Sequence, residues 1–87
     1  MGHFRLLVNG ITITHITANS PDDLKKKVRT EIQDWFYGKY WVEDHGGEVR
    51  FGDLEQVSPT VYRIGAFVRC VSGQIVWDHM FYLVRIA

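Results

Sequence analysis

The sequence predicts an α+β fold in which a curved antiparallel sheet packs on one helix. Three observations lead there. An Asn-Gly turn separates two alternating runs at the start, a single amphipathic helix follows with strong N-terminal signals, and period-two alternation begins at Glu48 and persists almost to the end. The expected order is β-β-α-β-β-β, and 87 residues fit one domain, 1–87.

The opening run "FRLLVNGITITHIT" is the clearest local signal, because Asn9-Gly10 suits the two positive φ values of a type I′ turn. A two-residue loop pairs Val8 with Ile11, Leu6 with Ile13 and Phe4 with His15. That face is expected to be buried. Its reverse carries Leu7, Arg5 and His3 opposite Thr12, Thr14 and Ile16, a mixture suited to partial contact with water.

The helix start is equally explicit. Ser20 is placed as N-cap and Pro21 as the first helical residue, while Asp22 and Asp23 face the positive end of the dipole. Leu24, Val28, Ile32, Trp35 and Phe36 recur at helical spacing, and Gly38 is expected to end the element. This hairpin-then-helix order over roughly the first 40 residues, "FRLLVNGITITHITANSPDDL", resembles the opening of β-grasp domains such as ubiquitin-like and immunoglobulin-binding modules. The three strands expected after the helix depart from that plan.

In "EVRFGDLEQV" the alternation of Val49 and Phe51 changes phase at Gly52-Asp53, which predicts a bulge or bend. "TVYRIGAFVRCV" and "QIVWDHMFYLVRI" flank Ser72-Gly73 and read as a second hairpin. With a two-residue loop, Cys70 pairs with Ile75, Val68 with Trp77, Ala66 with His79, Ile64 with Phe81 and Tyr62 with Leu83. The opposite face then sets Arg69 against Val76, Phe67 against Asp78, Gly65 against Met80, Arg63 against Tyr82 and Val61 against Val84. Both faces of this hairpin are apolar, yet one helix shelters only one.

Composition narrows the functional classes. Ten basic and ten acidic side chains cancel, so no long-range field draws nucleic acid or anionic lipid, and neither a nucleic-acid nor a membrane partner is expected. The cations of "KKKVR" are read as a solvated helix face. No apolar run reaches the roughly 18 residues of a membrane span, and the single Cys70 forms no internal disulfide, so a cytoplasmic setting is the expectation.

Chemistry-bearing constellations are sparse. Cys70 and His79 share a predicted strand face but stand four residues apart, about 13 Å by strand rise, far beyond a hydrogen bond. The four histidines lack the spacing that fixes two metal ligands on one element, and no phosphate-binding glycine array is present. No catalytic residues, metal or cofactor are therefore expected. Asp44-His45-Gly46-Gly47 reads as a turn. Just before it, five rings fall in seven positions: Trp35 and Phe36 belong to the helix stripe, and Tyr37, Tyr40 and Trp41 are expected to lock the chain's exit over the sheet.

The leading expectation is a non-enzymatic interaction module. It would bind a protein partner, or a second copy as a homodimer, through Arg63, Phe67, Arg69, Val76, Met80, Tyr82 and Val84, since exposed apolar side chains mixed with Arg and Tyr match the composition of interfaces. The alternative is a small-molecule pocket between helix and sheet lined by His15, Trp35, Tyr62, Trp77 and His79. A designed scaffold without natural activity is a third reading, suggested by the idealised turn and helix start.

Overall fold

The computed structural model describes residues 1–43 and 46–87. Its elements in chain order are β1 (Gly2–Val8), β2 (Ile11–Ala18), α1 (Pro21–Lys39), β3 (Glu48–Phe51), β4 (Glu55–Ser58), β5 (Val61–Arg69) and β6 (Ile75–Arg85). The predicted order holds, with the third run broken into β3 and β4 at the expected bend. All pairings are antiparallel, in the order β2-β1-β6-β5-β3, with β4 also on β5. The sheet curls as a half-barrel around α1.

The first turn follows its sequence signal, with φ of 53° at Asn9 and 76° at Gly10 and with Val8 opposite Ile11. Beyond it the register slips. Leu7 faces Thr12 but Leu6 faces Thr14, so Ile13 is an extra residue in β2. Phe4 then lies opposite Ile16, and the expected Phe4–His15 pair does not form. His15 moves to the outer face beside Arg5 and is exposed, while Ile16 is buried in its place. The slip places a fully apolar side chain in the core and leaves the imidazole in water, where desolvation costs it nothing.

Helix α1 begins as predicted. Ser20 Oγ accepts from the Asp23 N–H at 3.1 Å, and Asp23 Oδ2 accepts from the Asn19 N–H at 2.9 Å, a reciprocal cap. Leu24, Val28, Ile32 and Phe36 are wholly buried. Their spacing of four advances the stripe by roughly 40° per step, so the buried face winds around the helix and suits a sheet that curls. Gly38 does not end the element: α1 runs through Lys39, and Tyr40 caps it, its N–H donating to the Phe36 carbonyl at 2.9 Å. The stop is set by where the Tyr40 ring is held, as described below.

On the far edge, the Gly52 N–H donates to the Gly65 carbonyl at 2.8 Å, holding the bend between β3 and β4 against β5. In the second hairpin, Ala66–His79, Ile64–Phe81 and Tyr62–Leu83 pair as expected. The loop is longer than predicted. The Cys70 N–H donates to the Gln74 carbonyl and the Gly73 N–H to the Cys70 carbonyl, so Arg69 faces Ile75 and Val68 faces Val76. A bulge at Trp77, whose φ is 51°, restores the expected register from His79 onward. Val76 consequently packs toward the core, and Ile75 takes the outer position beside Arg69.

Candidate interaction surface

Strict alternation outside the bulges decides which side chains the sheet turns away from α1. On β5, Ile64, Ala66 and Val68 are buried, so Val61, Arg63, Gly65, Phe67 and Arg69 face outward. On β6, Phe81 and Leu83 are buried, which sends Met80, Tyr82 and Val84 outward, and β1 adds His3, Arg5 and Leu7 by the same rule. The registers align these into rows. Leu7, Tyr82, Arg63 and Glu55 lie side by side across β1, β6, β5 and β4, and Arg5, Val84 and Val61 form the next row. Gly65 lies opposite Met80, and Phe67 faces Arg50 of β3.

Six of the seven expected partner-binding residues therefore share this face, and Val76 does not. Met80 is 46% exposed and Tyr82 41%, while Phe67 and Val84 are half-buried by their neighbours. Two residues extend the face beyond the seven that the sequence predicts. Leu7 joins through the β1–β6 pairing, which no local signal encodes, and Ile75, 57% exposed, joins through the bulge.

The charges on this face are partly neutralised. Arg63 makes a two-pronged contact with Glu55 Oε2 at 3.1 and 3.2 Å, and Arg50 pairs with Glu48 at 3.0 Å. Arg5 is different: its Nε is shielded from solvent and has no acceptor among the described residues. Gly65 leaves open space on this face, a hollow where an added Cβ would meet only the Met80 Cε, at 3.8 Å.

The expected ligand-pocket residues are dispersed. His15 lies on the outer face, and Tyr62 packs edge-on against Phe4 at 5.9 Å, four positions along β5 from Ala66, the partner of His79. Trp35, Trp77 and His79 do come together, with Tyr40, at the C-terminal end of α1. The Tyr40 ring stacks on Trp77 at 4.6 Å, and its hydroxyl shares a 2.9 Å hydrogen bond with His79 Nε2. Trp35 meets His79, Phe36 and Phe81 edge-to-face, each at 5.2 Å. These rings pack in mutual contact, with Tyr40 among them.

Burial holds the His79 pKa below its ordinary value of 6.5, the Lys39 charge adds to that effect, and Asp78 opposes it. A neutral imidazole suits its place among rings. Of the three rings expected to lock the exit of α1, Tyr40 does so, whereas Tyr37 is 40% exposed and Trp41 74%. The turn expected at Asp44-His45 falls outside the described residues. Its flanks do close, the Gly46 N–H donating to the Glu43 carbonyl and the Gly47 N–H to the Val42 carbonyl.

Cys70 opens the β5–β6 loop, and His79 engages Tyr40. Among the described residues, no three His, Cys, Asp or Glu side chains are grouped to hold a metal ion, and no helix is long and apolar enough to cross a membrane. Comparison with protein-family models, curated proteins and solved structures returned no match.

Proposed function

We propose that the chain is a non-enzymatic interaction module that presents the outer face of β1, β5 and β6 to a second protein surface, with another copy of itself as the first candidate. One observation carries this reading: Leu7, Phe67, Met80, Tyr82 and Val84 lie contiguously on a sheet face that α1 does not cover. Apolar surface gathered in one patch and interspersed with Arg and Tyr is the make-up of an interface centre.

The test compares the protein with Met80→Asp, which adds a charge at the centre of the face without touching the core. Light scattering over a range of concentrations and binding of a hydrophobic dye are the two readouts. The wild-type chain is expected to self-associate or to bind dye, and Met80→Asp to reduce both. A chain that stays monomeric, with Met80→Asp indistinguishable in dye binding and solubility, overturns the reading.

A further inference from the structure

A second surface borders the first, where β2, the neighbour of β1, forms one edge of the sheet. Which backbone groups face outward follows from β1. The His3 N–H donates to the Ala87 carbonyl and the His3 carbonyl accepts from the Ile86 N–H, so His3 turns its backbone toward the β6 side. Thr17, its partner in β2, must then turn its own backbone away from the sheet. Lys27 confirms that orientation, because its Nζ reaches the Thr17 carbonyl from α1 at 2.7 Å. By alternation His15 points its N–H and carbonyl out of the same edge, where no described group pairs with them. Native sheets shield such edges with proline, lysine, bulges or a covering element; here the bulge at Ile13 and Lys27 at the Thr17 carbonyl protect the two ends, and the backbone of His15 with the Thr17 N–H is left open between them.

Beside this edge runs a groove. A hollow of about 530 Å³ lies between His15–Thr17 and the helix residues Lys26, Lys27 and Thr30. A smaller one of about 210 Å³ continues along Ile13 and Thr14 beside Asp34 and Trp35, and Glu31 borders both. The groove is polar at its rim and differs in charge from end to end. Lys26 marks the Thr17 end, and Glu31 with Asp34 marks the Thr14 end. Lys27 is already occupied by Asp23 and Thr17.

We propose that this edge and groove bind an extended peptide segment of a partner, which adds to the sheet as a strand antiparallel to β2. Its backbone pairs with His15 and with the Thr17 N–H, and Lys27 marks where pairing stops. Charge sets its sequence. An antiparallel strand places its N-terminal part beside Lys26 and its C-terminal part beside Glu31 and Asp34. Lys26 and Asp34 are separated by eight helical residues, about 12 Å, which matches four strand residues at ~13 Å. Residues four apart in a strand share a face. The segment therefore carries an acidic residue and, four positions later, a basic one, both directed at α1, with β-branched residues between them. This site adjoins the outer face at His15, the partner of Arg5, and lies two strands away from Met80.

The probes are two blocked heptapeptides of identical composition, acetyl-TEVTVKT-amide and acetyl-TKVTVET-amide, added to the full chain while amide hydrogen exchange is followed by NMR. The first is expected to slow exchange at His15 and Thr17 severalfold, and the second to bind about fivefold more weakly. Lys26→Glu, at an exposed helix position, should reduce or invert that preference, and Met80→Asp should leave it intact. The proposal is overturned if neither peptide slows these amides, if both bind equally, or if protection maps to another surface. It also fails if the two amides are protected without peptide in proportion to protein concentration, because a second copy would then occupy the edge.

Discussion

Trp77 adopts a left-handed backbone conformation that bulky residues rarely accept, and its ring stacks on Tyr40 while the hydroxyl of Tyr40 meets His79. The bulge turns an ordinary strand position into the clamp that fixes where α1 ends. Because burial depresses the His79 pKa, the folded state resists a proton that the unfolded chain accepts freely. The contribution is fully present above the ordinary value of 6.5 and is lost progressively as pH falls through the lower, folded value. Asp23 acts in a separate window: its pKa is lowered by the Asn19 N–H and by Lys27, so its contribution disappears only below about its ordinary 3.8. Urea unfolding midpoints should therefore drop between pH 7.5 and 5, and His79→Gln should flatten that slope. An equally steep decline in the variant would place the titrating group elsewhere. Tyr40→Phe, which removes one partly buried hydrogen bond, is expected to cost about 1 kcal/mol at neutral pH.

At the scale of elements, the legible features were those written in local chemistry. Asn9-Gly10, the Ser20-Pro21-Asp22-Asp23 start and the phase change at Gly52 each lie within a few consecutive residues, and each appears in the fold. The two register slips were harder to read. "ITITHITA" alternates from Ile11 to Ile13 and again from Ile16 to Ala18, and the change of parity between Ile13 and Ile16, across His15, is the available sign of a bulge. The second slip sits where Val76 and Trp77 are both apolar, so alternation does not choose between them. The end of α1 differs from its sequence signal for another reason, since Gly38 is a permissive residue whereas Tyr40 is held by rings distant in sequence. The β2 slip predicts an unequal pair of substitutions. Ile16→Ala should cost about 3 kcal/mol as a core truncation, and His15→Ala should stay within about 0.5 kcal/mol. Chemical denaturation distinguishes this from an unslipped hairpin, in which His15 would be the sensitive position.

For the molecule as a whole, sequence alternation revealed an apolar outer face on the C-terminal hairpin but not its extent. Seating β6 between β1 and β5 joins two hairpins far apart in the chain, and that long-range choice brings Leu7 and Arg5 beside Tyr82 and Val84. The same arrangement makes Gly65 informative. In a paired strand, glycine costs conformational entropy that alanine would not. A methyl group here meets only Met80 Cε at 3.8 Å, an ordinary contact, so the fold gives no steric reason to exclude it. Gly65→Ala should accordingly raise stability by about 0.5 kcal/mol. If the hollow receives a side chain from a docking surface, the added methyl group should at the same time weaken self-association or dye binding severalfold. Opposite movement of the two readouts is what an interface predicts and a merely solvated sheet does not. A variant that gains stability with association unchanged would show that the hollow plays no part in docking.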